Sequence, residues 1–163
     1  MDQPWCIAGG WAIDLFLGKV TREHQDIEIL ILREDQHHLQ KYLVGYSFQK
    51  VKDGHIEPWL FDEWLELPIH ETYAQDMNNK IEILLDESDG MDWVFRRDSR
   101  VRRSLSEVIM YSGQGIPYLN PAIVLLYKSK NPREKDEQDL NNTIDYLDNK
   151  DKQWFKDAIQ TCY

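Results

Sequence analysis

Gly9-Gly10-Trp11-Ala12-Ile13-Asp14, then Gly18, then Thr21-Arg22-Glu23-His24-Gln25-Asp26-Ile27-Glu28, is the stretch on which the fold and chemistry of this chain turn. The short apolar segment Trp5-Cys6-Ile7-Ala8 before it reads as a buried strand. Gly9-Gly10 turns that strand into a helix, whose apolar residues Trp11, Ile13, Leu15 and Phe16 run out before Gly18. Backbone N–H groups at a helix start attract phosphate, and glycine lets a phosphate come close, although a Gly-Gly pair also serves as a plain turn. Asp26 and Glu28 flank Ile27 at the opening of a second strand, Ile27 to Leu32. Residues two apart on a strand share a face. The two carboxylates are therefore predicted to stand together, with Ile27, Ile29 and Ile31 pointing the other way into a core. Such acids repel unless a cation lies between them, and without one at least one of them has a raised pKa. Carboxylates open to water suit Mg²⁺, which keeps several waters and takes phosphate oxygens as further ligands. The plain alternative is a solvated strand edge with two ordinary acids.

Downstream, Glu34 to Leu43 has a helical pattern, and Tyr46 to Val51 alternates like a strand before the turn signal Asp53-Gly54. Trp59 to Tyr73 fits a helix or two short strands. Lys80 to Leu85 is predicted as a strand closed by the polar loop Asp86 to Gly90. Glu82 lies inside that apolar run, where an acid is costly unless exposed or paired. It either faces solvent beside Lys80 or faces the Asp26/Glu28 pair from an adjacent strand. Asp86 comes four residues later, about 13 Å along a strand, so its expected task is forming the turn, well outside the acid pair. Trp93-Val94-Phe95 reads as a further short strand. Asn120 caps a helix with Pro121 at its first position, which runs to Lys128 before Asn131-Pro132 breaks it. Two more helices are predicted, over Glu134 to Leu147 and Lys150 to Thr161. The pattern is α+β: one domain over residues 1–163, sheet-containing to residue 118 and helical from 119.

Composition narrows the function classes. A hydrophobic content of 42% and an aromatic content of 12% exclude a disordered chain. No apolar run approaches the roughly 20 residues that span a bilayer. Met1-Asp2-Gln3-Pro4 lacks the basic start of a signal peptide, so the expected compartment is the cytoplasm. Cys6 and Cys162 make neither a disulfide framework nor a four-ligand zinc site. A net charge of −10 argues against nucleic acid as a partner and is compatible with a cationic small substrate. Five arginines fall within residues 96–103, either as contacts to an anion or as a solvated turn offsetting local acids. Trp59, Phe61, Trp64 and Tyr73 pack a core or line an acceptor pocket. His37-His38, with no third ligand nearby, reads as solvated.

The stretch quoted first closely resembles the aminoglycoside 2''-nucleotidyltransferases and the lincosamide nucleotidyltransferases. The shared pattern is Gly-Gly-Trp followed by Thr-Arg-x-His-x-Asp-(Ile/Leu)-(Asp/Glu) at this spacing; it covers residues 5 to 32 and continues more weakly through the Glu82 strand. Leu125-Leu126-Tyr127-Lys128, then Arg133, Lys135-Asp136 and Asp139-Leu140, is similar to late motifs of the wider DNA polymerase β-like superfamily, nucleotidyltransferase toxins included.

The resemblance implies a nucleotidyltransferase fold, a mixed β-sheet flanked by helices. It implies Mg²⁺, as two ions, held by Asp26, Glu28 and a third carboxylate, here Glu82. It implies transfer of a nucleoside monophosphate, usually AMP, from ATP or another nucleoside triphosphate to a hydroxyl, with release of pyrophosphate. Relatives commonly carry Asp as the third acid, acting as general base, and often as the second ligand too; Glu28 and Glu82 each reach further by roughly one C–C bond. Gly9 and Gly10 are then phosphate-binding, and Arg22 and Lys128 are nucleotide contacts. Against this, Arg22 has the alternative of a salt bridge to Asp26, Lys128 that of a surface lysine, and His24 either orients a carboxylate or sits in a loop. The expected acceptor is a small hydroxylated molecule, aminoglycoside-like. The alternatives are a toxin-type enzyme acting on RNA or protein and a degenerate nucleotide-binding protein. Retention of all three acids speaks against the last.

Overall fold

The computed structural model describes residues 1–163. β1 (Trp5–Ile7) passes into α1 (Gly9–Leu17), which Gly18 closes in the left-handed region. The acidic motif leads into β2 (Glu28–Leu32). A 3₁₀ turn over Arg33–Asp35 precedes α2 (Gln36–Tyr42). β3 (Ser47–Lys52) and β4 (His55–Pro58) form a hairpin about Asp53-Gly54, both at positive φ, as that turn signal implies. Neither a helix nor a strand forms over residues 59–70, and β5 (Glu71–Gln75) follows. β6 (Lys80–Asp89) runs straight through the predicted loop, because its last three residues pair with β7 (Asp92–Val94). β8 (Arg102–Ser104), β9 (Ile109–Tyr111) and β10 (Pro117–Leu119) complete the strands. α3 (Pro121–Lys128) starts where the sequence places it, with the Asn120 side chain accepting from the Ala122 N–H at 2.9 Å. α4 (Glu134–Thr143) and α5 (Asn149–Cys162) end the chain. No helix is long and apolar enough to cross a membrane.

The strands form one mixed sheet in the order β4-β3-β5-β6-β2-β1-β10-β9, with β7 and β8 extending from the far end of β6. At its centre β2 and β6 are parallel, and strands of that kind are stable when both faces are covered. Alternation divides them between two cores. Leu30 joins Ala12 and Ile13 of α1 and Ile123 and Leu126 of α3 on one face. Ile31, Ile83 and Leu85 meet Leu39, Trp59 and Leu65 on the other. Ile27 departs from expectation: the strand begins one residue later, and Ile27 is 50% exposed instead of entering the core. α3 is buried from Pro121 to Leu126, the mark of a central helix.

One buried ion pair ties α5 to the rest. Arg103 of β8 and Asp151 of α5 are both under a tenth exposed and bonded to each other, and Asp151 also accepts from Asn120 Nδ2 at 3.2 Å. Removing one partner of such a pair leaves an uncompensated buried charge. Asp151→Ala is therefore expected to cost about 3–5 kcal/mol, read from urea denaturation, and a replacement of both Arg103 and Asp151 by apolar residues to recover much of that loss.

Candidate active site

A cleft of about 440 Å³ runs along β2 and β6, between the start of α1 and the C-terminal end of α3. Its acids come from the sheet. Glu28 and Glu82 are register partners on the parallel pair and share a face, so the Cα geometry alone puts their carboxylates side by side. Tyr73 of β5 stands opposite Glu82, and Glu71, two residues earlier, shares that face and also lines the cleft. Burial first, then the like charges of Glu28, Glu71 and Asp26, push the Glu82 carboxyl up to about 7, against a smaller opposing pull from Lys80. Asp26 lies before β2, exposed and off the cleft lining. No three acid, histidine or cysteine side chains converge closely enough to enclose an ion by themselves. Hard oxygen donors set side by side with like-charge strain nevertheless fit Mg²⁺, which draws most of its remaining ligands from water and phosphate.

Gly9 meets two constraints at once. Its φ is +58°, and a Cβ there would overlap Glu28 Oε2, so only glycine lets the Glu28 carboxylate lie against the helix start. Gly10 serves otherwise. The space a side chain would take is filled by the Arg22 guanidinium and the His24 ring, and Gly10 does not line the cleft.

The Thr-Arg-x-His motif is a clamp for the loop that delivers Glu28. Buried Asp14 accepts from the Thr21 N–H at 3.1 Å, from Thr21 Oγ1 at 2.5 Å and from His24 Nε2 at 2.5 Å. The His24 ring packs on Trp11 at 4.5 Å between centroids. Arg22 makes a two-pronged bond to Asp139 of α4, both contacts 2.9 Å; the salt bridge to Asp26 considered from the sequence does not form, and Arg22 is off the cleft lining. Lys128 does line the cleft, with its Nζ 2.8 Å from Asp136 and 3.0 Å from Asp139. Arg133 Nε completes the row on Asp136 at 2.8 Å. Burial works to raise Asp136 and Asp139, but the hydrogen bonds from Arg133 and Lys128 to the one, and from Arg22 and Lys128 to the other, outweigh it and hold both low. The late Lys-Asp-x-x-Asp motif thus fixes the position of Lys128 and Arg22.

Asp86 overturns its expected role. It is not a turn residue but lies inside β6 opposite Leu32, 2% exposed, accepting from Trp93 Nε1 at 2.6 Å and Tyr127 Oη at 2.7 Å. Burial raises its carboxyl to about 6 in spite of those bonds. It shares a face with Glu82 and reaches the cleft lining, four residues away from the acid pair.

The model of the aminoglycoside-2''-adenylyltransferase family matches residues 1–143. The chain belongs to this family. It is a nucleotidyltransferase. A lincosamide resistance protein of Staphylococcus haemolyticus is 30% identical over 151 residues, which cover 87% of this chain and 84% of the relative. The crystal structure of the lincosamide antibiotic adenylyltransferase LnuA, lincomycin-bound, matches with a TM-score of 0.56 at 19% identity, over 85% of this chain and 84% of that one. The crystal structure of ANT(2")-Ia in complex with adenylyl-2"-tobramycin matches with a TM-score of 0.59 at 16% identity, over 97% and 87% of the two chains. At these identities the structural likeness speaks for the mixed-sheet fold.

Within this adenylyltransferase-family cleft, sequence reasoning overlooked Glu71 and misplaced Asp86. Nothing in the local pattern marks Glu71; only the β5–β6 register brings it in. For Asp86 a signal existed in the polar tips of Trp93 and Tyr127, which need partners once buried. The arginine run divides: Arg96 and Arg97 line the cleft, Arg103 is the buried ion-pair member, and Arg100 and Arg102 pair with Asp98 and Asp89 at the surface. Of the aromatics, Trp59 is core, while Phe61 and Trp64 are about half exposed and off the cleft.

The raised Glu82 carboxyl makes stability depend on pH. Below about 4.5 it is neutral folded and unfolded; between 4.5 and about 7 the unfolded chain gives up the proton first, so folding is penalised progressively as pH rises. Glu82→Gln, neutral at every pH, is expected to gain melting temperature over the parent from pH 5 to pH 8. A difference that stays flat across that range would contradict the raised Glu82 carboxyl.

Proposed function

We propose that this chain transfers AMP from ATP to a hydroxyl of a small, antibiotic-like acceptor, with Mg²⁺, in the cleft above β2 and β6. The observation that carries the reading is the in-register pairing of Glu28 with Glu82 on the floor of a cleft bordered by cations. Those cations come from the chain after β7 and from the end of α3 and its following turn, where Lys128, Lys130 and Arg133 line the same space. Carboxylates beside a phosphate-binding set of cations match the two ends of a metal-bound nucleotide. Glu28 and Glu82, joined by Asp26 from the preceding loop, would hold the metal. When bound, Mg²⁺ neutralises phosphate charge and acidifies the attacking hydroxyl.

The remaining work belongs to the chain itself, and such transfer depends chiefly on positioning and charge stabilisation. Gly9 makes room for Glu28 against the helix start, whose backbone N–H groups would bind phosphate beside it. Lys128, held by Asp136 and Asp139, offers its remaining N–H to a phosphate oxygen. Arg22 acts from behind, fixing the loop against α4. The acceptor oxygen bonds to the α-phosphorus as the bond to the bridging oxygen breaks. Pyrophosphate leaves with the electron pair, and the hydroxyl proton passes to the Glu82 carboxylate. The acidic side of the cleft, with Glu71 beside Glu82, suits an acceptor carrying ammonium groups, and the net charge of −10 draws such a molecule in. The bound lincomycin and the adenylyl-2"-tobramycin in the structural neighbours are small molecules of that hydroxylated, amine-bearing kind.

The test is incubation with labelled nucleoside triphosphates, Mg²⁺ and a panel of aminoglycosides, lincosamides and tRNA, with pyrophosphate release as readout. Labelling of a small-molecule acceptor is expected, and labelling of tRNA alone would sink the reading. Glu82→Gln should lower the rate about 10²–10⁴-fold, the range for loss of a general base. Gly9→Ala should abolish transfer as well, since it displaces Glu28; retention of activity there would contradict the close approach.

A further inference from the structure

Arg22, Arg33, Arg100, Arg102, Arg103 and Arg133 each reach a carboxylate. Arg96 and Arg97 are the arginines that do not, in a chain with 29 acidic residues, and both line the cleft. Their position is built rather than loose. Both guanidiniums lie over the ring of Tyr127, with Cζ 5.2 and 5.3 Å from its centroid, and Arg97 Nη1 donates to the Tyr127 carbonyl at 2.8 Å. The ring beneath them is held in turn. Its hydroxyl donates to Asp86 at 2.7 Å, Asp86 accepts a second bond from Trp93 at 2.6 Å, and Phe95 packs against the ring at 4.9 Å. A guanidinium resting on an aromatic face keeps its N–H edge available, and that planar fork matches two phosphate oxygens.

We propose that Arg96 and Arg97, stacked on Tyr127, form the subsite for the pyrophosphate part of the nucleotide, and that Asp86 is the positioning residue that holds Tyr127 beneath them. This rests on the nucleotidyltransferase reading of the cleft and adds a polarity to it. Asp86 lies four residues beyond Glu82 on β6, about 13 Å along the strand, so the arginine pair sits away from the acid pair. In-line displacement puts the entering hydroxyl and the leaving group on opposite sides of the phosphorus. The carboxylates stand where the hydroxyl loses its proton. The guanidiniums stand where the broken bridging P–O bond leaves its electron pair on pyrophosphate.

The test is calorimetric titration of inorganic pyrophosphate with Mg²⁺ into the full chain. The parent should bind it, and the double variant Arg96→Gln/Arg97→Gln should bind at least about tenfold more weakly, the loss expected for charge-assisted hydrogen bonds. Because neither arginine is paired to an acid, their removal strands no carboxylate, and an unchanged urea midpoint checks the fold. Arg102→Gln, whose guanidinium is engaged by Asp89, should leave binding unaltered. Tyr127→Leu should weaken binding as much as the double variant, and Tyr127→Phe, which keeps the ring, by less. A parent that does not bind pyrophosphate, or a double variant that binds it with parental affinity, overturns the proposal. Acceptor labelling is measured alongside. Arginine-dependent pyrophosphate binding with no acceptor labelled would keep the subsite and sink the transfer reading. Labelling with an undiminished kcat/KM in the double variant would do the reverse.

Discussion

The parallel pairing of β2 with β6 is the constraint on which the rest of this molecule depends. Its register sets Glu28 against Glu82 and Leu32 against Asp86, so one strand pair supplies both the acid floor of the cleft and the buried carboxylate behind it. The alternate residues of the same strands, Ile29, Ile31, Ile83 and Leu85, close the opposite face. A slip of β6 by one residue would exchange its faces, turning Glu82 into the core and Ile83 and Leu85 out of it. Core formation and site formation therefore impose the same register.

Around that pair the chain spends its polar side chains on fixing positions. Asp14 gathers Thr21 and His24, Asp139 gathers Arg22 and Lys128, and Asp136 gathers Lys128 and Arg133. The result is a row of ion pairs and hydrogen bonds from the loop before β2 to the turn after α3, tying the N-terminal motif to α4 beside the cleft. Motif residues that look like ligands in the one-letter sequence are in several cases ligands of each other. Removing one would leave a buried charge without its partner, a larger loss than that of a surface pair.

The electrostatics of the cleft are local and run against the global balance. The chain carries −10 overall, yet cations collect along the border of the one region where acids are crowded on the sheet. Most arginines are neutralised by nearby acids, and the two that are not rest on an aromatic ring inside the cleft. Net charge is thus a guide to what approaches the protein and a poor guide to what its cleft holds.

The sequence by itself determined the strand–glycine–helix opening, the strands around Glu28 and Glu82, the hairpin at Asp53-Gly54 and the Asn120-capped helix, because each depends on periodicity or on the backbone chemistry of a few adjacent residues. It also carried the family, through a motif of fixed spacing. Its misreadings share a cause. Asp86 looked like a turn residue because its neighbours Glu87, Ser88 and Asp89 are polar, but β7 pairs with them and extends the strand. Ile27 looked buried because the run is apolar, but β2 begins one residue later. Glu71, the Arg22–Asp139 bond and the platform of Tyr127 under Arg96 and Arg97 join residues far apart in the chain. Such partners are chosen by strand register and helix packing, which are properties of the whole fold, and no local pattern of side chains encodes them.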